Sequence, residues 1–140
     1  MAVYGFDDLA VSIDNSSGTP VAITAYLTSI GPVVKEAITE ESHAAGDSWV
    51  EHLFAGVRRM SPIAIGGFYD DTASTGPNAL LDDVGCVATS GGTRTVLITY
   101  GSTKTTSFEA IIMSYTRSPV RNETHKFEAI LQPTGAPTEA

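Results

Sequence analysis

The sequence predicts a mainly β fold, a β-sandwich or partly closed barrel with one short flanking α-helix, and three observations carry that expectation. Apolar and polar residues alternate with a period of two through most of the chain. Clusters of Gly, Pro, Asn and Ser punctuate the alternation, and only residues 47–57 place apolar side chains at helical spacing. A sheet-rich chain with a single amphipathic helix buries both by laying the helix on the sheet.

In chain order, Leu9, Val11 and Ile13 alternate with Ala10, Ser12 and Asp14, and Asn15 to Pro20 forms a turn. Val21, Ile23, Ala25 and Leu27 resume the alternation until Gly31-Pro32 breaks it, and Val33 to Ser42 follows as a strand with polar groups on both faces. In 47–57, Trp49, Val50, Leu53, Phe54 and Val57 make an apolar stripe, Asp47 is placed to cap the first turn, and Gly56 marks the end. Trp49, Leu53 and Phe54 would anchor this helix on the sandwich, so Trp49→Ala is expected to impair folding. Arg58 to Tyr69 returns to strand, with a Gly66-Gly67 pair that suits a bulge or a close backbone approach.

Asp70 to Asp83 is a loop in which Pro77 to Leu81 can form one helical turn. A Ser90-Gly91-Gly92 turn leads to the strand Arg94 to Tyr100, whose few charges leave it poorly protected if it lies at an edge. In Thr105 to Thr116, Phe108, Ala110 and Ile112 share one face while Ile111, Met113 and Tyr115 share the other, the pattern of a strand buried on both sides. His125 to Leu131 points Phe127, Ala129 and Leu131 inward. This pattern makes about seven strands in a single domain over 1–132, with 133–140 a loose Pro/Gly/Thr-rich tail.

Sixteen acidic and eight basic residues among 140 give a net charge of −8, with nine acids and three bases in residues 1–70. So few scattered cations exclude a nucleic-acid clamp, which needs a basic patch to displace counterions from phosphate. Only 17% of residues are charged, a shortage that fits surface buried in an oligomer. The lone Cys86 cannot form an intrachain disulfide. Met1 to Ala10 lacks the basic start and apolar run of a signal peptide, and no stretch approaches the roughly 18 apolar residues of a membrane span.

Catalytic signatures are missing: there is no Gly-x-Ser-x-Gly elbow, phosphate-cradling loop or dinucleotide fingerprint. His43, Asp47, Glu51 and His52 do not converge, because on a helix residues 51 and 52 point about 100° apart. Asp70-Asp71 and Asp82-Asp83 bracket a loop but do not match a calcium-loop pattern. No enzymatic activity, cofactor or metal is expected.

The stretch His43-Ala44-Ala45-Gly46-Asp47-Ser48-Trp49-Val50-Glu51-His52-Leu53-Phe54-Ala55-Gly56-Val57-Arg58-Arg59-Met60, followed by Ile63-Ala64-Ile65-Gly66-Gly67-Phe68-Tyr69-Asp70-Asp71, resembles the major tail tube proteins of long-tailed, siphovirus-like bacteriophages. In that family a Gly-Asp-Ser/Thr-aromatic helix start leads through a Gly-Leu/Val-Arg/Lys step into a strand ending in Gly-x-Phe/Tyr-Asp. The continuation Thr72 to Ala79 is similar to the loop that follows this strand in some members, so the likeness spans about Thr39 to Leu81. The chain departs from larger members in having no appended immunoglobulin-like domain.

The resemblance implies a sandwich with a flanking helix whose copies form hexameric rings, stacked into a hollow tube that conducts the phage genome through an electronegative lumen. Glu36, Glu40 and Glu109 are then the candidate lumen acids, and the loop bearing Asp70, Asp71, Asp82 and Asp83 is the candidate contact with a neighbouring subunit or ring. The partners implied are further copies of the chain, other tail proteins at the tube ends, and DNA that passes without specific binding. The location implied is the virion tail, assembled in the bacterial cytoplasm. Two alternatives belong to other classes. A head-joining or tail-terminating protein would form one discrete ring, and a small ligand-binding sandwich would display exposed aromatic residues.

Overall fold

A computed structural model describes residues 3–89 and 91–140. Ser90 of the expected turn and the first two residues of the N-terminus lie outside the described residues. The alternating segments become nine strands: β1 (Ala10–Asp14), β2 (Pro20–Ala22), β3 (Leu27–Ile30), β4 (Lys35–Ser42), β5 (Glu51–Met60), β6 (Ile63–Phe68), β7 (Arg94–Thr99), β8 (Thr105–Ser118) and β9 (Lys126–Glu139). Seven of them form one curled half-barrel sheet in the order β2-β1-β7-β8-β9-β6-β3, and β4 and β5 pair separately as a long hairpin. Every pairing is antiparallel. Among the described residues no helix is long and apolar enough to cross a membrane.

The core follows from the period of two. Val11 and Ile13, Val96 and Ile98, Phe108, Ala110 and Ile112, Phe127, Ala129 and Leu131, and Ile63 and Ile65 all point to the concave side of the sheet and are buried. The loop after β6 closes over them. Its helix α1 (Pro77–Leu81), with Pro77 at the first helical position, buries Leu80 and Leu81, and the short turn that follows buries Cys86. Each Val, Leu, Ile or Phe so buried contributes about 1.5–3 kcal/mol. The 3-10 turn Thr24–Tyr26 splits the expected 21–27 strand into β2 and β3. It passes so close to β6 that a Cβ on Gly67 would lie 2.0 Å from the Tyr26 carbonyl oxygen, which is the close approach the glycine pair foretells.

Four expectations are corrected. Residues 47–57 are not a helix: Asp47 closes a turn, with its carboxylate accepting from the Ala44 amide at 2.6 Å, and Glu51–Met60 is strand. Gly56, expected as a helix end, has φ +87° and sits in a bulge where Ala55, Gly56 and Val57 oppose Ile38 alone. An isolated helix this short is marginal, whereas pairing with β4 satisfies the backbone along its length, and the bulge reproduces helical spacing of apolar residues in a strand.

The supposed tail is also strand. β9 continues to Glu139 against β8, and Thr105 and Ala140 exchange backbone hydrogen bonds, both 3.0 Å. β7 is not an edge but lies between β1 and β8; the true edges, β2 and β3, are only three and four residues long. Short edges, one of them starting at Pro20, resist pairing with another chain. Finally, β8 is not apolar on both faces throughout. Met113 is an exposed bulge residue between Ile112↔Leu131 and Ser114↔Ile130, and it returns Tyr115 to the core side, against Phe127.

Candidate assembly surfaces

The β4–β5 hairpin leaves the body at its root and is exposed over nearly all of its length. Trp49 is 85% exposed, and Leu53, Phe54 and Val57 are each more than half exposed. None of them anchors anything inside the subunit. Their spacing reads as an apolar stripe, but that stripe is not part of this chain's own core. Large apolar patches rimmed by polar groups are the usual mark of an interface.

The root is fastened by polar contacts. Lys35 Nζ donates to Glu139 Oε1 at 2.9 Å, Thr106 Oγ1 donates to Glu139 Oε2 at 2.8 Å, and the Tyr100 hydroxyl donates to Thr106 Oγ1 at 2.9 Å. The hydrogen bonds from Lys35 and Thr106 hold the Glu139 carboxyl below its usual range. Across the hairpin, Arg59 Nε donates to Glu36 at 2.9 Å and Ser61 Oγ at 3.0 Å, and these bonds likewise lower the Glu36 carboxyl. Beyond the bulge, the Arg58 guanidinium lies 5.4 Å from the Phe54 ring centre.

The convex face of the large sheet is different in kind. Ser12, Thr95, Thr99, Thr105 and Ser107 alternate with the core residues and leave a hydroxyl-rich surface. Glu109 is held on it by Thr95 Oγ1 at 2.6 Å and Thr93 Oγ1 at 3.0 Å, with Asp14 alongside, and Glu128 projects from β9 on the same face. Of the three acids grouped from the sequence, Glu109 alone lies here. Glu36 and Glu40 belong to the separate hairpin, Glu36 in its ion pair and Glu40 opposite Leu53.

The four loop aspartates also divide. Asp71 and Asp82 are exposed. Asp70 accepts from the Thr72 amide at 2.7 Å, which closes its own turn, and the Thr72 side chain and amide together hold its carboxyl below the usual range. Asp83 turns inward to Arg94, at 3.2 Å, so its carboxylate serves the subunit's interior. Burial pushes the Asp83 carboxyl up, but hydrogen bonds from Thr89, the Ala88 amide and Arg94 outweigh it and leave it lowered.

Arg94 is the residue that reasoning from the sequence missed. It is 2% exposed and donates to Asp83, to Thr89 Oγ1 at 3.1 Å, to the Asp14 carbonyl at 3.3 Å and to the Leu80 carbonyl. One guanidinium thus ties α1 and the following loop to β1 and β7. The signal was present: the alternation Arg94, Val96, Ile98 puts Arg94 on the core face.

These features define a class: a curled antiparallel half-barrel capped by a pinned loop, with an unpartnered apolar hairpin on one side. No protein-family model matches the sequence, and no curated protein matches it. Solved structures do match the fold along the whole chain. A protein from the tail of an empty gene transfer agent particle, determined with C6 symmetry, superposes with a TM-score of 0.74 at 19% identity over 99% of both chains. A protein of the 6-fold symmetrised anti-feeding prophage baseplate gives 0.74 at 13% identity, over 100% of this chain and 95% of that one. A protein of the SPP1 tail tube gives 0.69 at 13% identity, over 99% and 78%. The chain has the fold of tail tube proteins.

Proposed function

We propose that this chain is a non-enzymatic structural subunit of a phage-type tail, whose copies associate as hexameric rings that stack into a tube. The observation that supports this most is the end-to-end fold match with tail proteins determined under six-fold symmetry. The exposed apolar hairpin supports it independently, because an isolated subunit leaves that surface in water at a cost of about 25 cal/mol per Å². On this reading the protein resides in the virion tail after assembly in the bacterial cytoplasm, and meets other tail proteins where the tube ends.

The convex sheet face is the wall we assign to the lumen. It carries Asp14, Glu109 and Glu128 among hydroxyl-bearing side chains. Repeated around a ring, these carboxylates repel phosphate, so DNA passes without adhering. The exposed Asp71 and Asp82 are assigned to the contact with a neighbouring subunit. The fold match with a baseplate protein favours a second reading, in which the chain forms one discrete ring at the end of a tube.

Electron microscopy of the purified protein across concentration separates these readings. The tube reading expects long tubes of uniform width with six subunits per layer. Single rings that never stack would favour the second reading, and a persistent monomer would contradict both.

A further inference from the structure

The convex face is not polar throughout. Its hydroxyl-bearing side chains lie on β1, β7 and the first part of β8, but beyond Glu109 the outward positions of β8 are Ile111 and, at the bulge, Met113. Ile130 of β9 lies opposite Ser114, the residue beside that bulge, and Ala64 of β6 lies opposite Ile130 on its other side. Three neighbouring strands thus present one apolar band. Met113 is 51% exposed, Ala64 is exposed, and Ile111 and Ile130 are partly exposed, so the subunit leaves the band open. It continues into a groove of about 350 Å³ lined by Ala64 and Gly66, with Lys126 at its far end. Carboxylates bracket the band. Glu109 stands two residues before Ile111 on β8, and Glu128, opposite Thr116, stands two residues before Ile130 on β9. At about 3.3 Å per residue the two acids are roughly 20 Å apart along the strands.

We propose that this band seats an amphipathic helix of a second protein inside the channel, one whose apolar stripe is flanked by Lys or Arg. The proposal rests on the tube reading, which turns this face to the lumen. A wall that only passes DNA has no use for exposed Ile and Met, since acids and hydroxyls suffice to keep phosphate off. A helix is about 10–12 Å across with its side chains, so one fits between carboxylates roughly 20 Å apart and leaves room for a cationic side chain on each flank. The stripe meets Ile111, Met113 and Ile130, and the flanking cations meet Glu109 and Glu128. Methionine suits such a seat, because its unbranched, polarizable side chain adapts to the surface laid on it. The carboxylates that repel DNA attract basic flanks, so the face separates a polypeptide from nucleic acid by charge and apolar fit together.

A model helix tests it: a synthetic peptide of about 18 residues with Leu along one helical stripe and Lys on both flanks. Added to the full chain below its assembly concentration, this peptide is expected to shift the Met113 methyl resonance while that of the buried Met60 stays in place. Met113→Glu, at an exposed bulge position, leaves the fold intact and weakens binding at least about tenfold. Glu109→Gln with Glu128→Gln weakens it comparably and flattens its salt dependence. A peptide of the same composition with the stripe shuffled away, or a short DNA duplex, leaves the Met113 methyl unmoved. Equal binding by the shuffled peptide or to the Met113→Glu chain, or no movement at Met113, overturns the seat and leaves the tube reading standing. Tubes whose convex face turns outward overturn the lumen assignment, and with it the placement in the channel, whatever the peptide does.

Discussion

Replacing Arg94 with Met tests the clamp that holds the capping loop on the half-barrel. The guanidinium donates to one carboxylate, one hydroxyl and two carbonyls while 2% exposed. Met fills much of the volume but donates nothing, so the Leu80 carbonyl and the Asp83 carboxylate lose their partner out of reach of most water. Breaking a buried pair by removing one member costs about 3–5 kcal/mol, a large share of the 5–15 kcal/mol typical of a whole domain. Arg94→Lys keeps a charge near Asp83 but not the planar fork, and falls between.

Urea denaturation at a concentration below assembly measures the difference without coupling to oligomerisation. The pH dependence adds a signature. The folded Asp83 carboxyl is lowered, so its contribution is fully present above its unfolded value, near pH 4, and is lost as pH falls through the folded value. The Met variant loses this part of the acid-side slope. A loss below about 1 kcal/mol with an unchanged acid slope would refute the clamp.

Gly67→Ala puts a methyl group 2.0 Å from the Tyr26 carbonyl, and thermal denaturation is expected to show a loss of at least about 2 kcal/mol. Trp49→Ala leaves the subunit's stability within about 0.5 kcal/mol of the parent, as an 85% exposed side chain should, while weakening assembly measured by sedimentation. Glu139→Gln leaves global stability close to the parent's, because the ion pair with Lys35 is half exposed; it speeds amide exchange at the hairpin root. Glu109→Lys leaves folding and tube formation intact and slows DNA passage, read as reduced genome delivery by reconstituted particles.

Most of the sheet was legible because one face of each strand is buried, and burial enforces the period of two. β1, β6, β7, β8 as far as Ile112 and the first half of β9 follow it in their burial. The hairpin was not legible, because neither of its faces is buried in the subunit. Its apolar residues pack on nothing in the subunit's core, and the bulge at Gly56 shifts the alternation into a helix-like spacing. The β9 extension was masked by Pro133 and Pro137, which argue against a central strand; beyond Leu131 no residue of β9 pairs with β6, so this half is bounded by β8 alone and tolerates proline. The positions of the three candidate acids were only partly legible, since their chemistry does not say which sheet carries them: Glu109 lies on the large sheet and Glu36 and Glu40 on the hairpin. Glu109 required its Thr93 and Thr95 partners to be placed.

The central claim is that this −8 subunit builds a conduit by stacking copies of itself. Cryo-electron microscopy of the protein at rising concentration tests it most directly. The account predicts six-fold layers stacked into a hollow tube, with the convex face bearing Glu109 turned to the lumen. A monomer at every concentration, or a tube with the convex face turned outward, would contradict it.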